Sequence, residues 1–418
     1  MDQKNKHDKG FEEIAKCATH LRLKNYFFEI AEKKLFVANI IFTPYPEMGH
    51  LNASLKIAKA LRSRGHHVSY LGLPDFEEHV RSQGLGFVPI FERLCPKGFL
   101  QQQAVENRME NFSALLARAK ASVDMFNPAS EVQEIVRRTQ PDLFVVDLLL
   151  PDLARIIDQI AARIVLLNTQ LFNPWIEQPA LYASLHKLPE LILCPEIFEF
   201  SGVHRKKNSY YVESSIDLER RDTAFPWNKL DENKPLIYCS FGSQSHLIDQ
   251  SGDFFQRVID AVALRPDWQL VLGTGAHLSV TDFHSIPPNA LLVNFVPQLE
   301  MLKRASIMIT HGGFNTVKEC IFFGVPMLVF PVIRDHPAIA ARVVYHGLGF
   351  RGNLQNASVE HIHHLINRID QDPSFKTRVE VMGREFRRIE ESESASQIIQ
   401  AVLDGLQKKL SLASVQFS

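Results

Sequence analysis

Short apolar strands alternate with amphipathic helices along most of this chain, and no other feature restricts its fold as strongly. Residues 35–42 (LFVANIIF) form an apolar run typical of a strand buried on both faces. Residues 51–65 then carry apolar side chains at helical spacing and end at a glycine. Further strands (HVSYLGLP, DLFVVDLLL, RIVLLN) and helices (EVQEIVRRTQ, DLARIIDQIAA) continue the pattern. This alternation predicts parallel β-α-β units in a doubly wound α/β sheet.

The alternation starts again after a polar, proline-bounded stretch at residues 226–235. The strands LIYCSF, WQLVLGTG, ALLVNFV, ASIMITHGG and VPMLVFP follow it, with a helix near residues 253–263. Because 418 residues are too many for one ordinary core, we predict two domains. The predicted segments are a helical extension (1–34), a first Rossmann-like domain (35–225), a linker (226–235), a second Rossmann-like domain (236–385) and a charged C-terminal helix (386–418).

Composition and charge exclude several classes of protein. The formal net charge is −1, so no overall positive field would hold nucleic acid or an anionic membrane, and the basic run HRKK is too short for a nucleic-acid site. The five cysteines contain no C-x-x-C pair, which argues against a disulfide scaffold or a zinc site. No signal peptide and no apolar run of transmembrane length is evident. We expect a cytoplasmic protein without a membrane span, either a monomer or a weak dimer.

Polar residues follow two strands of the first half, where ligands of doubly wound sheets bind. His50 comes after the first strand, and Asp147 ends the run LFVVD. A carboxylate that orients an imidazole and stabilises its charged form makes it a good general base. Gly49 is expected to permit the turn from strand to helix. The alternatives are that His50 only fills this turn and that Asp147 is a water-exposed loop carboxylate.

The stretch THGGFNTVKECIFFGVP, at residues 310–326, is the most specific local signal. His311 ends a strand, two glycines follow, and a helix begins whose free N–H groups and dipole favour an anion. Glu319 lies eight residues further on, about two helical turns, so it projects from the same side and could accept two ribose hydroxyls. The alternative is a simple tight turn followed by a solvated glutamate.

Two weaker signals lie at other strand ends of the second half. Gly242 would let a phosphate approach backbone N–H groups, and the hydroxyl of Ser243 could add a donor. Asp335 and His336 could hydrogen-bond adjacent hydroxyls of a sugar. Taken alone, however, that pair favours a simpler interpretation in which Asp335 caps the following helix.

No metal site is predicted. His361, His363 and His364 fall on one predicted helix, where a solvated face is the favoured interpretation because no other ligand motif accompanies them. The acids of the DQD stretch at residues 370–372 are interpreted as part of a surface turn before a proline.

The motifs together resemble a known enzyme family. Residues 295–349, FVPQLEMLKRASIMITHGGFNTVKECIFFGVPMLVFPVIRDHPAIAARVVYHGLG, resemble the donor-binding signature of the family 1 UDP-glycosyltransferases, including their bacterial macrolide-type members. TPYPEMGHLNASLKIAKALRSRGHHV resembles their N-terminal motif, and the similarity covers most of residues 35–405. It implies a GT-B fold, in which two Rossmann-like domains face each other across a cleft. The first binds the acceptor, the second binds the nucleotide sugar, and the C-terminal helix packs back on the first.

The resemblance assigns a role to each matching position. It implies that His50 is the catalytic base and that Asp147 pairs with it. The implied donor site comprises residues for the nucleotide base (Phe295, Gln298), the diphosphate (Ser243, His311, Gly313, Asn315, Thr316), the ribose (Glu319) and the sugar (Asp335, His336). The implied reaction is an inverting transfer from a UDP-sugar to a hydroxyl of a small acceptor, without a metal ion or another cofactor.

Some positions depart from the family pattern. Many members have Asp-Gln where this chain has Asp335-His336, which makes a sugar other than glucose plausible. Ala53 follows Asn52 where a proline is common, and Ile339 replaces a common asparagine. Residues 170–225, which are rich in aromatics and prolines, lose the periodic pattern and are expected to form variable loops for a partly apolar acceptor.

Two other functions remain open at this point. One is a catalytically inactive helper protein that binds a nucleotide sugar. The other is a different GT-B enzyme, such as a sugar-nucleotide epimerase. The presence of both His50 and Asp147 favours the transferase, because neither alternative needs a base at the end of the first strand.

Overall fold

The protein is described by a computed structural model. It describes residues 37–100, 128–160, 163–171, 185–203, 206–220, 223–242, 251–275 and 278–405. The helical extension predicted at residues 1–34 lies outside these ranges, and so does Ser243.

The first half forms a parallel sheet of seven strands in the order β3-β2-β1-β4-β5-β6-β7. Its strands are β1 (Asn39–Thr43), β2 (His67–Gly72), β3 (Gly86–Pro89), β4 (Leu143–Asp147), β5 (Arg163–Asn168), β6 (Glu190–Ile192) and β7 (Ser209–Tyr211). The helices that accompany it are α1 (Met48–Ser63), α2 (Glu77–Ser82), α3 (Pro128–Thr139) and α4 (Pro151–Gln159).

The second half forms a parallel sheet of six strands in the order β10-β9-β8-β11-β12-β13. Its strands are β8 (Leu236–Ser240), β9 (Gln269–Gly273), β10 (Ala290–Val293), β11 (Ile307–Thr310), β12 (Met327–Val329) and β13 (Gly349–Arg351). Its helices are α5 (Ser251–Ala263), α6 (Gln298–Leu302), α7 (Phe314–Phe323), α8 (His336–Tyr345), α9 (Val359–Gln371) and α10 (Pro373–Glu390), after which comes α11 (Ser394–Leu403). The predicted fold class, two doubly wound parallel sheets, is confirmed.

Buried strands explain why both sheets are parallel. Every residue of β4, β8 and β9 is buried, so these strands are covered on both faces, as helical crossovers require. In each sheet the strand order reverses once in the middle, between β1 and β4 and between β8 and β11. Such reversals open a crevice at the carboxyl ends of the strands, and this is where the predicted site residues lie.

Residues 170–225 are more regular than the sequence predicted. β6 and β7 extend the first sheet, with Glu190 paired to Ser209 in register. Each strand has only three residues, too few to show a hydrophobic period. The buried carboxylate of Glu190 stabilises this edge of the sheet, because it accepts hydrogen bonds from Asn168 at 2.6 Å and from Ser209 at 2.5 Å.

The C-terminal helix α11 packs on the first half of the chain. Ala395, Ile399 and Val402 are buried in the core that surrounds the first sheet. The carboxylate of Glu213 accepts hydrogen bonds from the backbone N–H of Ala395 and the hydroxyl of Ser394, and so caps the start of the helix.

Two buried cations of the second half bind the first half. Arg342 of α8 is fully buried and donates to the carboxylate of Glu199 at 2.6 and 2.9 Å. Lys318 of α7 donates to the backbone carbonyls of Leu193 and Ser214, each at 3.0 Å, and its burial lowers the pKa of the ammonium to about 8. These contacts fix how the two halves sit against each other. No helix within the described ranges is both long and apolar enough to cross a membrane.

Arg342→Met should destabilise the protein strongly, because it leaves the buried carboxylate of Glu199 without its cation. Loss of one partner of a buried pair costs roughly 3–5 kcal/mol. We expect a lower midpoint in thermal unfolding, followed by circular dichroism. Arg137→Met is the control, since that arginine is exposed on α3 and should leave the midpoint unchanged. Equal midpoints for the two variants would contradict the prediction.

Candidate active site

The carboxyl ends of both sheets face one cleft, which has a volume of about 450 Å³. Both halves contribute to its walls. The first half supplies residues of α1 and the loops after β5 and β7, whereas the second supplies the loops after β8, β10, β11 and β12. His50, Gln298, His311, Glu319, Asp335 and His336 all line this cleft. The structure thus brings together residues that are far apart in the sequence.

His50 lies in the first turn of α1 rather than in the turn before it, since the helix begins at Met48. Gly49 lines the cleft, and its backbone does not adopt a left-handed conformation. A Cβ added at Gly49 would meet only the amide nitrogen of Asn315, at 3.8 Å. That amide donates to the Gly49 carbonyl at 2.7 Å, so the glycine lies where α1 and α7 approach each other.

Asp147 holds the imidazole of His50. Its Oδ2 lies 2.8 Å from Nδ1 of His50 and accepts a hydrogen bond from Thr169 at 3.3 Å, and its Oδ1 accepts from the backbone N–H of Leu149. Only 1% of Asp147 is exposed, so it is not the water-exposed carboxylate considered from the sequence. Burial lowers the pKa of His50, but the charge and hydrogen bond of Asp147 raise it more, so that the pKa lies above its ordinary value. This geometry leaves Nε2 of His50 to exchange a proton.

The loop after β11 is built around His311. Gly312 has a φ of 88°, and a Cβ at Gly313 would lie 2.6 Å from the His311 ring. Gly242, in the loop after β8, also approaches this ring and has a φ of 69°. The glycines therefore let backbone pack around the imidazole where α7 begins, so that N–H groups and a ring nitrogen can face one anion.

The imidazoles of His311 and His336 contact each other edge to face, with ring centroids 4.6 Å apart. Burial, and then the neighbouring His336, lower the pKa of His311 well below its ordinary value. Burial and the charge of Arg334 lower the pKa of His336 to about 4. Both rings are therefore neutral at pH 7, and each can donate a hydrogen bond without carrying a charge.

Glu319 lies on α7, and both of its carboxylate oxygens are bonded. Arg220 donates to Oε1 at 2.8 Å, and the side-chain amide of Gln298 donates to Oε2. The same amide group also contacts the hydroxyl of Thr316 at 3.3 Å, and its oxygen accepts from Tyr238 at 3.4 Å. Only 4% of Glu319 is exposed, so the solvated glutamate considered from the sequence is excluded.

Asp335 stands at the N-cap position of α8, yet its side chain makes no capping hydrogen bond. The capping interpretation favoured for the isolated pair is therefore wrong. Its Oδ2 is buried and has no hydrogen-bond partner among the described residues. Burial raises the pKa of Asp335 to about 6. A buried acceptor that faces a cleft without a partner indicates that a ligand completes it.

A salt bridge that the sequence did not indicate crosses the cleft beside these residues. Arg334 donates to both carboxylate oxygens of Glu47, at 2.6 and 2.7 Å. Arg334 has a φ of 54°, a conformation that costs energy outside glycine and is enriched at functional sites. A carboxylate oxygen of Glu47 also lies 4.0 Å from Nε2 of His50. No motif in the sequence indicated this salt bridge. Glu47 and Arg334 stand out only because each lies next to or near a predicted site residue.

The remaining predicted residues are placed as follows. Phe295 lines the cleft and is 58% exposed. Ile339 is fully buried in the hydrophobic core of the second half and does not line the cleft. His361 and His364 are exposed on α9, in line with the solvated face preferred from the sequence. Asp372 caps α10, accepting from the backbone of Ser374 at 2.9 Å.

Comparison with known proteins agrees with this architecture. The family model for the C-terminal domain of proteins like erythromycin biosynthesis protein CIII matches residues 257–394. The chain is 22% identical over 417 residues to the uncharacterized UDP-glucosyltransferase YojK of Bacillus subtilis (strain 168), covering 90% of this chain and 100% of that protein. These matches support a family 1 glycosyltransferase.

Solved structures show the same fold in other glycosyltransferases. The calicheamicin glycosyltransferase CalG4 superposes with a TM-score of 0.69 and 19% identity, over 89% of this chain and 100% of that one. The spinosyn rhamnosyltransferase SpnG complexed with thymidine diphosphate gives a TM-score of 0.66 and 18% identity, over 87% of this chain and 100% of that one. The chain therefore has the GT-B fold.

Asp147→Asn should lower the pKa of His50, because it removes the largest of the contributions that raise this pKa against the effect of burial. The measurement is an NMR titration of the protein with 13C-labelled histidine. The wild-type ring should titrate above the ordinary value of 6.5. His79 provides an internal control, since burial and then the charge of Lys59 lower its pKa, and Asp147 does not contact it. An unchanged His50 titration would contradict the coupling.

Proposed function

We propose that this glycosyltransferase uses His50 as the general base in an inverting transfer from a UDP-sugar to a hydroxyl of a small, partly apolar acceptor. The pair of His50 and Asp147, joined at 2.8 Å in a buried site, carries the proposal. Asp147 fixes the ring and stabilises the imidazolium that forms when Nε2 takes a proton.

A single displacement fits the positions of the two histidines. His50 stands on the wall of the cleft formed by the first half, and His311 stands on the wall formed by the second. The acceptor oxygen forms a bond to the anomeric carbon as the bond from that carbon to the diphosphate breaks. The acceptor proton passes to Nε2 of His50. Attack from the side opposite the leaving group inverts the anomeric centre.

The departing diphosphate would be stabilised by the protein itself. The N-terminus of α7 and the glycine-rich loop before it present backbone N–H groups, and the neutral His311 adds a further donor. Donors fixed in this way stabilise the negative charge that develops on the leaving group. The proposal therefore needs neither a metal ion nor another cofactor.

The donor would lie along the wall formed by the second half. Phe295 would stack on the nucleotide base, Glu319 would accept the ribose hydroxyls, and Asp335 would accept hydroxyls of the sugar. The backbone N–H of Ile333 donates to Nδ1 of His336 at 3.4 Å, which leaves the proton of the neutral ring on Nε2. His336 thus offers the sugar one donor and no acceptor, unlike the glutamine common at this position.

His50→Ala should remove transfer while UDP binding stays within about twofold of the wild type, because the base does not belong to the nucleotide site. A positioned general base contributes about 10²–10⁴-fold to a rate, so kcat should fall by that factor. Mass spectrometry of UDP-sugar and acceptor mixtures measures turnover, and calorimetry measures UDP affinity. Unchanged turnover would rule out the base.

The pH dependence of kcat/KM provides a second test of the general base. His50 must be neutral to act, so kcat/KM should fall as the pH drops below its raised pKa. In Asp147→Asn this acidic limb should move to lower pH. Asp152→Asn, an exposed carboxylate on α4, is the matched control and should leave the limb in place.

Glu319→Ala should weaken UDP binding by roughly 10- to 100-fold, the value of hydrogen bonds to a charged group. Calorimetric titration with UDP measures the effect. Glu300→Ala, at an exposed position of α6, is the control. Equal UDP affinity in the Glu319 variant and the wild type would contradict the ribose role.

A further inference from the structure

Arg220 reaches from the first half of the chain to the proposed ribose site of the second half. Its guanidinium donates to Oε1 of Glu319 at 2.8 Å, and both side chains line the cleft. Arg220 lies before the predicted linker and far from the donor signature. Nothing in that signature indicates that the other half of the chain contributes to the nucleotide site.

The hydrogen bonds of Glu319 leave it ready to accept two more. Each carboxylate oxygen has two lone pairs. Arg220 occupies one lone pair of Oε1, and Gln298 occupies one of Oε2. One lone pair therefore remains on each oxygen, which is the arrangement that two adjacent hydroxyls of a ribose can fill. A 2′-deoxyribose has only one of those hydroxyls.

Arg220 also makes the burial of this carboxylate possible. Only 6% of the Glu319 side chain is exposed, and a buried carboxylate without a cation is unfavourable. Without the guanidinium, the carboxylate would be a buried charge without its cation and would no longer be held in place. It would then no longer present two acceptors at fixed positions.

A second observation points to a ligand at this wall of the cleft. Ser214 and Ser215 line the cleft, and their buried hydroxyls have no hydrogen-bond partner among the described residues. Ser215 also has a φ of 58°, in the left-handed region that is unfavourable for serine. Buried polar groups are normally paired, so these two hydroxyls indicate that a polar ligand contacts the segment that leads to Arg220.

We propose that Arg220 is a positioning residue that makes the enzyme select a ribonucleoside diphosphate donor over a 2′-deoxyribonucleoside one. The inference rests on the proposed function, because it takes Glu319 as the ribose acceptor. Arg220 acts through that carboxylate rather than on the reacting atoms. The choice matters within this fold, since SpnG was solved with thymidine diphosphate, a 2′-deoxyribonucleotide.

The test compares UDP with 2′-deoxy-UDP, which differ only in the 2′-hydroxyl. Calorimetry of the wild-type protein should give a dissociation constant at least about tenfold lower for UDP, because one hydrogen bond to a charged group is lost with the analogue. Arg220→Gln should bring the two dissociation constants to within about threefold of each other, mainly because UDP binds more weakly. Arg220→Lys keeps the cation and should retain most of the ratio.

Arg155→Gln, at a surface position of α4, is the matched control and should keep the wild-type ratio. Thermal unfolding of each variant reports any general loss of structure, which would weaken both nucleotides alike and leave their ratio unchanged.

The outcomes separate the two proposals. If the wild type does not bind UDP, the proposed donor, and the inference with it, is wrong. If the wild type prefers UDP and Arg220→Gln keeps the full preference, the role of Arg220 is wrong while the donor assignment stands. Tighter binding of UDP by Arg220→Gln would show that the arginine competes with the donor, which also overturns the inference. Equal affinities of the wild type for both nucleotides would overturn the selection itself.

Discussion

The active-site cleft depends on buried cations of the second half that bind the first half. Arg342 pairs with Glu199, and Lys318 is held by two backbone carbonyls. Removing such charges from water is unfavourable, so each contact persists only while both halves keep their relative position. These contacts help to set the distances between residues of the two halves, including that from Arg220 to Glu319.

The architecture was predictable because long periodic segments carry it. The strands that cross the middle of each sheet are continuous apolar runs, and the helices between them have clear apolar faces. The three-residue strands β6 and β7 were missed, because pairing with β5 and the buried carboxylate of Glu190 define them rather than their own sequence.

The site residues that could be predicted from the sequence are those at or near the ends of strands. His50, Asp147, His311 and Glu319 were found because they follow or lie near buried strands, and the sheet topology brings such positions together. Residues that join the site from the opposite wall, such as Arg220 and the salt bridge of Glu47 with Arg334, carry no local pattern. The contact of Gly49 with Asn315 was missed for a related reason, because the two residues are 266 positions apart in the sequence.

Helix α7 shows what this interdependence means for engineering. Its side chains reach three separate points of the first half: Asn315 contacts Gly49, Lys318 contacts Leu193 and Ser214, and Glu319 contacts Arg220. A chimaera that joins the second half of this chain to the first half of another protein would therefore separate α7 from these partners. Such a chimaera would need the segment around residues 214–220 together with the helix to keep the contacts of Lys318 and Glu319.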